Sequence, residues 1–289
     1  MYFCGFGRRL LFKPVLINIS CGFMQKERHF GKVYGKILDG IENGGALTFM
    51  QLDPPKYSPE ACAKLAKVAE SSGLDAFAVG GSVGAQGALL DECIKAIKEN
   101  SSLPVILFPG NIATISKYAD AIYFMQMLNS LDPYYLSGAQ ITASYPIKQL
   151  GLEVIPTSYI IVEPGRAVGW IGRAQLIPRS FDYLAGITAL AGQYIGSHLI
   201  ILESGGGAPE PAPQKMISYV KNLIDVPLIV AGGIRNEKFA YKTVKAGADI
   251  IHIGTALEES KGDLQKFAST LKKITSAVKK AGREKSKTL

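Results

Sequence analysis

The chain has 289 residues, 47% hydrophobic and 19% charged, with 31 glycines and 15 prolines, a balance that excludes a disordered or collagen-like polymer. No apolar run reaches the roughly 18 residues of a membrane-spanning helix. The formal charge of +8 is concentrated at the ends: residues 1–35 hold six Lys/Arg against one Asp/Glu, residues 272–289 hold seven against one, and the body between them holds 19 against 22. A face that neutralises a polyanion should run through the folded body, so nucleic acid is excluded as a partner.

Residues 1–23 carry Arg8 and Arg9 ahead of an apolar stretch, but Lys13 and Pro14 interrupt it and no clean cleavage site follows. They are expected to form a poorly ordered extension, with Met24 as the working start of an amphipathic helix. The four cysteines, Cys4, Cys21, Cys62 and Cys93, show neither CxxC nor zinc spacing, which argues against a disulfide framework or a structural zinc site. From residue 45 on, eight short apolar runs predict strands: 46–52, 76–79, 105–108, 121–124, 158–162, 199–202, 228–230 and 250–253. Helical stretches lie between them, among them 59–72, 89–99, 213–223 and 237–246. A last helix carries Leu264, Phe267, Leu271, Ile274 and Val278 on one stripe. Residues 281–289 read as a solvated basic tail, with weak attraction to anionic lipid as the alternative. Strands apolar on both faces that alternate with helices imply a parallel sheet. Eight such units over 24–280 predict a single α/β domain, a closed (β/α)₈ TIM barrel, with a doubly wound open sheet as the alternative. No internal repeat or linker is evident.

The segments that follow the strands are rich in small, acidic and amide residues, and in a barrel they open onto one face, where active sites of this fold are built. Gly232-Gly233 and Gly254-Thr255 let backbone N–H groups approach an anion, and Ser204-Gly205-Gly206-Gly207 adds a third cradle, together suited to one phosphate. Asp53, stopped by Pro54-Pro55, suits Mg²⁺, which takes one or two protein oxygens plus substrate phosphate. Ser82 either completes that shell or caps the next helix. Glu203, at the end of an apolar run and beside the cradle, can act as a base, or can pair with an arginine. Tyr123, Phe124, Tyr134, Tyr135, Tyr145, Tyr159 and Trp170 supply apolar area, mostly as core, while His29, His198 and His252 read as structural.

In this order, Leu52-Asp53-Pro54, Gly80-Gly81-Ser82, Phe108-Pro109-Gly110-Asn111, Glu163-Pro164-Gly165 running into Val168-Gly169-Trp170-Ile171-Gly172, Leu202 to Pro209, Gly232-Gly233-Ile234-Arg235 and Gly254-Thr255 resemble the geranylgeranylglyceryl phosphate synthase family, in its archaeal branch. The likeness spans roughly residues 27 to 275. It implies a TIM-barrel prenyltransferase that joins geranylgeranyl diphosphate to sn-glycerol 1-phosphate, the first ether-bond step of archaeal membrane lipid synthesis. It further implies Mg²⁺ on Asp53 and Ser82, and glycerol phosphate on Ile201, Leu202, Glu203, Ser204, Gly205, Gly206, Gly207, Gly232, Gly233, Gly254 and Thr255, with Glu203 holding the nucleophilic hydroxyl. Relatives commonly carry Tyr where Ile201 stands, so that hydroxyl is lost here or supplied from elsewhere. A cytoplasmic homo-oligomer with peripheral membrane contact through its lipid product is expected. The absence of a DDxxD pair argues against the helical prenyltransferases. Two alternatives stay open: another phosphate-binding barrel, such as a flavin oxidoreductase or phosphosugar isomerase, and a non-catalytic prenyl- or phosphate-binding protein.

Overall fold

The computed structural model describes residues 31–260 and 262–286, so the expected 1–23 extension and the helix start at Met24 lie outside the described residues. Eight parallel strands close into a barrel: β1 (Leu47–Leu52), β2 (Ala76–Gly81), β3 (Val105–Pro109), β4 (Ala121–Met127), β5 (Glu153–Ile161), β6 (Leu199–Glu203), β7 (Leu228–Ala231) and β8 (Ile250–Ile253). Closure comes from β8 pairing with β1. The helices are α1 (Lys32–Gly44), α2 (Pro59–Ser71), α3 (Gly87–Asn100), α4 (Ala139–Leu150), α5 (Arg166–Ile171), α6 (Asp182–Ile195), α7 (Gln214–Lys221), α8 (Glu237–Lys245), α9 (Thr255–Glu258) and α10 (Leu264–Ser286). The TIM barrel expected from the alternating pattern is the observed fold.

Strand alternation builds two apolar layers. On β6, Ile200 and Leu202 pack outward against the helices, whereas Leu199 and Ile201 fill the barrel interior. The same alternation aims Glu203, the next inward position, at the mouth.

At the opposite end a repeated device, hidden from the sequence reading, pins the strand starts. The N–H groups of Thr48, Val105 and Leu228 donate to the carboxylates of Asp75, Asp120 and Asp249 at 2.8, 2.8 and 2.9 Å. Each aspartate returns its own N–H to the carbonyl of the same partner residue, at 3.0, 2.9 and 2.9 Å. These aspartates stand one residue ahead of β2, β4 and β8. The equivalent place ahead of β6 is His198, whose N–H donates to the carbonyl of Pro156 at 2.7 Å. Proline has no N–H to satisfy, so no carboxylate is needed there.

Two further carboxylate contacts close this end. Gly31 offers no side-chain cap to α1, and Glu153 of β5 instead accepts the N–H groups of Val33 and Tyr34, both at 2.7 Å. Lys221 and Lys285 hold Asp249 at 2.7 and 2.8 Å. The expected solvated tail is therefore corrected: residues 281–286 continue α10, Ala281 is buried, and Lys285 is drawn in by a buried carboxylate.

The second departure is a missing helix. Between β3 and β4 only residues 110–120 intervene, and they fold as turns: Asn111 Oδ1 accepts the N–H of Ala113 at 2.8 Å and Ser116 Oγ that of Tyr118 at 3.3 Å. Without a helix there, Ile122 and Phe124 of β4 face a gap bounded by Ile115 and by Ala143 and Ile147 of α4.

Candidate active site

That gap is continuous with the barrel mouth and forms one cavity of about 470 Å³. Its polar end is lined by Gln51, Asp53, Lys56, Ser82, Glu203, Gly206, Gly207, Gly254 and Thr255. Its apolar end is lined by Phe108, Ile122, Phe124, Met125, Tyr135, Val168 and Ile171, among others. Residues from β1, β2, β6 and β8 thus meet on one side, with an apolar channel leading away under α4.

Glu203 is 4% exposed. Its Oε1 accepts the N–H of Gly205 at 2.6 Å and its Oε2 accepts the hydroxyl of Tyr159 at 3.2 Å. Among the described residues no cation pairs with it, which removes the arginine-anchor reading. Burial pushes its carboxyl up to about 7, against the two hydrogen bonds, with Asp53 adding a smaller repulsion. A carboxylate poised near neutral pH beside an apolar channel suits proton acceptance. Tyr159 of β5 pairs in register with Ile201 on β6, and this pairing brings its hydroxyl to Glu203. Burial, and then the adjacent Glu203, holds the Tyr159 phenol protonated. Deeper in, Tyr123 and His252 share a hydrogen bond at 3.1 Å, and burial drives His252 down to about 3, so it stays neutral.

The cradle is assembled in part as expected. Gly207 donates its N–H to Thr255 Oγ1 at 3.1 Å, joining the β6 and β8 segments. Nothing lies within 4 Å of a side chain built on Gly206, and one on Gly254 meets Gln51 Cβ at 3.7 Å, so both positions are open to a ligand. Gly232 and Gly233 serve differently. A Cβ on Gly232 would strike Glu203 Oε1 at 2.5 Å, and one on Gly233 would strike the Glu210 carbonyl carbon at 2.2 Å; both glycines have positive φ, 79° and 75°. These glycines let Glu203 and the chain at Glu210 approach. Neither projects its missing side chain into the cavity, so a substitution there would disturb the scaffold rather than test phosphate binding.

Four residues expected to contact substrate lie outside the cavity lining. Leu202 is fully buried in the layer between barrel and helices, and Ile201 is fully buried inside the barrel beneath the cavity lining. Ser204 is likewise fully buried, with its hydroxyl unpartnered. Gly205 acts through its N–H on Glu203 rather than on open space. The reason is strand alternation followed by a turn, which together give only some of seven consecutive residues to the mouth.

Asp53 and Ser82 both line the cavity, and Gly81 sits so close that a Cβ there would lie 3.0 Å from Asp53 Oδ1. Asp53 Oδ2 is paired with Lys56 Nζ at 2.8 Å, and Lys56 also reaches Glu258 at 2.5 Å. Burial opposes the Lys56 charge, but these two carboxylates outweigh it and keep Lys56 protonated. Among the described residues no cluster of three or more acidic, His or Cys side chains is preformed for a metal. One hard carboxylate with one hydroxyl fits Mg²⁺ that arrives with phosphate oxygens, and fits no all-protein cage.

Sequence reasoning missed three groups besides Tyr159. Lys56 bridges the β1 and β8 sides. Arg235 donates to the carbonyls of Gly207 at 3.0 Å and Ala208 at 3.2 Å and pairs with Glu259 at 3.0 Å, tying three loops together. Arg166 adopts a φ of 49°, unusual for a residue with a side chain, and its Nη2 lies 3.7 Å from a Cβ built on Gly207. No carboxylate holds it among the described residues, so it is the cation beside the cradle left unengaged. Of the seven aromatics expected mostly as core, Tyr145 and Trp170 are 66% and 84% exposed.

Comparison with known proteins agrees with this geometry. The family model described as the PcrB family matches residues 45–275. Geranylgeranylglyceryl phosphate synthase of Pyrococcus horikoshii is 50% identical over 252 residues, 87% of this chain and 98% of that protein. The enzyme of the same name from Thermococcus kodakarensis is 51% identical over 249 residues, 86% and 98% of the two chains. The crystal structure of (S)-3-O-geranylgeranylglyceryl phosphate synthase from Thermoplasma acidophilum, in complex with its substrate sn-glycerol-1-phosphate, superposes with a TM-score of 0.82 at 38% identity and covers 86% of this chain and 98% of that one. This protein belongs to the PcrB family, alongside the geranylgeranylglyceryl phosphate synthases.

Proposed function

We propose that this protein is a prenyltransferase that joins geranylgeranyl diphosphate to sn-glycerol 1-phosphate, giving geranylgeranylglyceryl phosphate and diphosphate. The observation that carries this reading is the single cavity in which Glu203, with its carboxyl near 7, lies between an open glycine cradle and an apolar channel. Glycerol phosphate seats its phosphate at Gly206, Gly207, Gly254 and Thr255, with Arg166 as countercharge. The prenyl chain enters the channel under α4. Glu203 accepts the proton of the attacking hydroxyl while Tyr159 orients the carboxylate, and a C–O bond forms at the prenyl C1 as its bond to diphosphate breaks. Asp53 and Ser82 would hold Mg²⁺, which supplies charge neutralisation to the departing diphosphate. Lys56 stands ready to exchange Asp53 for that same anion.

The test is an assay with labelled glycerol 1-phosphate and prenyl diphosphates of several lengths, with Mg²⁺ and after chelation. Product that requires the C20 donor and is lost on chelation supports the reading; a bright yellow flavoprotein, or binding of both substrates without turnover, would overturn it. Homo-oligomerisation is supported by the exposed apolar face of α6, with Tyr183, Tyr194 and Ile195 at 63%, 77% and 66% exposure. Peripheral membrane contact is supported by Val83, Leu131 and Trp170, exposed in segments that follow β2, β4 and β5. No helix among the described residues is long and apolar enough to cross a membrane. A cytoplasmic site of action is our further expectation; sedimentation alone and with lipid vesicles tests assembly and docking.

A further inference from the structure

Cys62 of α2 and Cys93 of α3 are both fully buried, and their Sγ atoms lie 2.7 Å apart across the interface between the two helices. Both are free thiols in this structure, and a disulfide of about 2.05 Å needs only a small further approach of the two sulfurs. The surrounding contacts are apolar: Leu65, Ala66 and Ala69 of α2 and Leu90, Ile94 and Ile97 of α3 belong to the same core. No metal-binding cluster is formed around them among the described residues. The cysteines are 31 positions apart, without the short spacing that marks a redox or zinc motif, so only the packing of two successive βα units brings them together.

We propose that Cys62 and Cys93 are joined by a disulfide that staples α2 to α3. The oxidant is a low-molecular-weight disulfide. One cysteine thiolate attacks it and expels a small thiolate; the second cysteine thiolate then attacks the mixed disulfide and expels the other. One S–S bond forms and one breaks, and two protons and two electrons leave with two small thiols. Because both sulfurs are shut from solvent in the native fold, exchange takes place while α2 and α3 are still open, during folding. Once the helices close, the same burial shields the bond from reductants. The staple links the segments behind two parts of the mouth, since α2 follows the Asp53 turn and α3 follows the Gly80–Ser82 segment. It is independent of the reaction assigned to that mouth.

The experiment refolds the full chain from denaturant, once with oxidised glutathione and once with excess reductant, then blocks free thiols and digests with trypsin without reduction. The expected result is a linked pair of peptides, 57–64 with 68–95, in the oxidised sample only. Its Tm should exceed that of the reduced sample by on the order of 10 °C, the scale of closing a loop of this length. Cys93→Ala should lose both the linked pair and the redox dependence of Tm. If that variant does not fold, the two samples of the native sequence still decide. Alkylation of both cysteines in the oxidised sample, linkage of either one to Cys4 or Cys21, or a linked pair without a rise in Tm would overturn the proposal.

Discussion

The two ends of the barrel use carboxylates in opposite ways. At the strand starts, Asp120 accepts the N–H of Val105 and pairs with Lys98, while Asp249 accepts the N–H of Leu228 and holds two lysines. At the mouth, Glu203 is as buried as Asp249 but has one backbone N–H, one tyrosine hydroxyl and, among the described residues, no cation. A carboxylate surrounded by donors and positive charge is structural, because its charged form is fully compensated. One left short of compensation is costly to keep, and that shortfall sets its proton affinity near neutrality.

The largest test of this contrast is Asp249→Ala. It leaves Lys221 and Lys285 partly buried without their partner and should cost about 4 kcal/mol of stability, with turnover per folded molecule unchanged. Equilibrium denaturation and active-site-normalised kinetics on one preparation check it.

Glu203→Gln should do the reverse. Turnover should fall by roughly 10² or more, the scale of general-base assistance, and the loss of rate expected of the native protein as pH drops through about 7 should be absent from the variant. Stability moves the other way. Between the ordinary carboxylate value and about 7, folded Glu203 binds a proton that the unfolded chain has released, so native stability declines as pH rises through that window. Above about 7 the full penalty is present, at most roughly 3 kcal/mol. The Gln variant escapes it, so its Tm advantage should grow from pH 5 to 7 and then level off. A variant less stable than the native protein at pH 8 would show that Glu203 is a structural anchor after all.

Arg166→Gly sharpens the comparison on the cationic side. It relieves the φ of 49°, so Tm should hold or rise. The KM for glycerol phosphate should increase about tenfold with kcat unchanged, the worth of one exposed charged contact. Equal KM values would take Arg166 out of the phosphate site.

The smallest effect is expected at Gly254→Ala. The added methyl meets only Gln51 Cβ at 3.7 Å, so folding should be unaffected, while calorimetry should find glycerol phosphate bound several-fold more weakly, on the order of 1 kcal/mol. Gly233→Ala, whose methyl collides with the Glu210 main chain, should instead lower Tm, separating a cradle glycine from a scaffold glycine.

The barrel itself was legible because buried parallel strands are apolar on both faces and recur at regular spacing. The site was legible where chemistry is local. Glu203 ends an apolar run, Asp53 precedes two prolines, and Gly206-Gly207 and Gly254-Thr255 follow strands, so each could be placed at the mouth from its neighbours alone. Leu202 shows the limit of that reading: position in a motif cannot tell which alternate residues face the mouth until the strand's register is set.

What the sequence determined by itself was therefore the order and type of the elements and the residue types at the strand ends, since these follow from periodicity and nearest neighbours. Only the tertiary structure decided which distant residues meet. Tyr159 reaches Glu203 because β5 pairs with β6 in one register. The aspartates ahead of β2, β4 and β8 each find the one strand-start N–H opposite them, and His198 stands in their place because Pro156 has no such group. Cys62 meets Cys93 because α2 packs on α3. The gap left between β3 and β4 becomes a channel because α4 lies over it. Each is a contact between segments whose separation along the chain carries no local signal, and only the pairing of neighbouring strands and the packing of neighbouring helices bring them together.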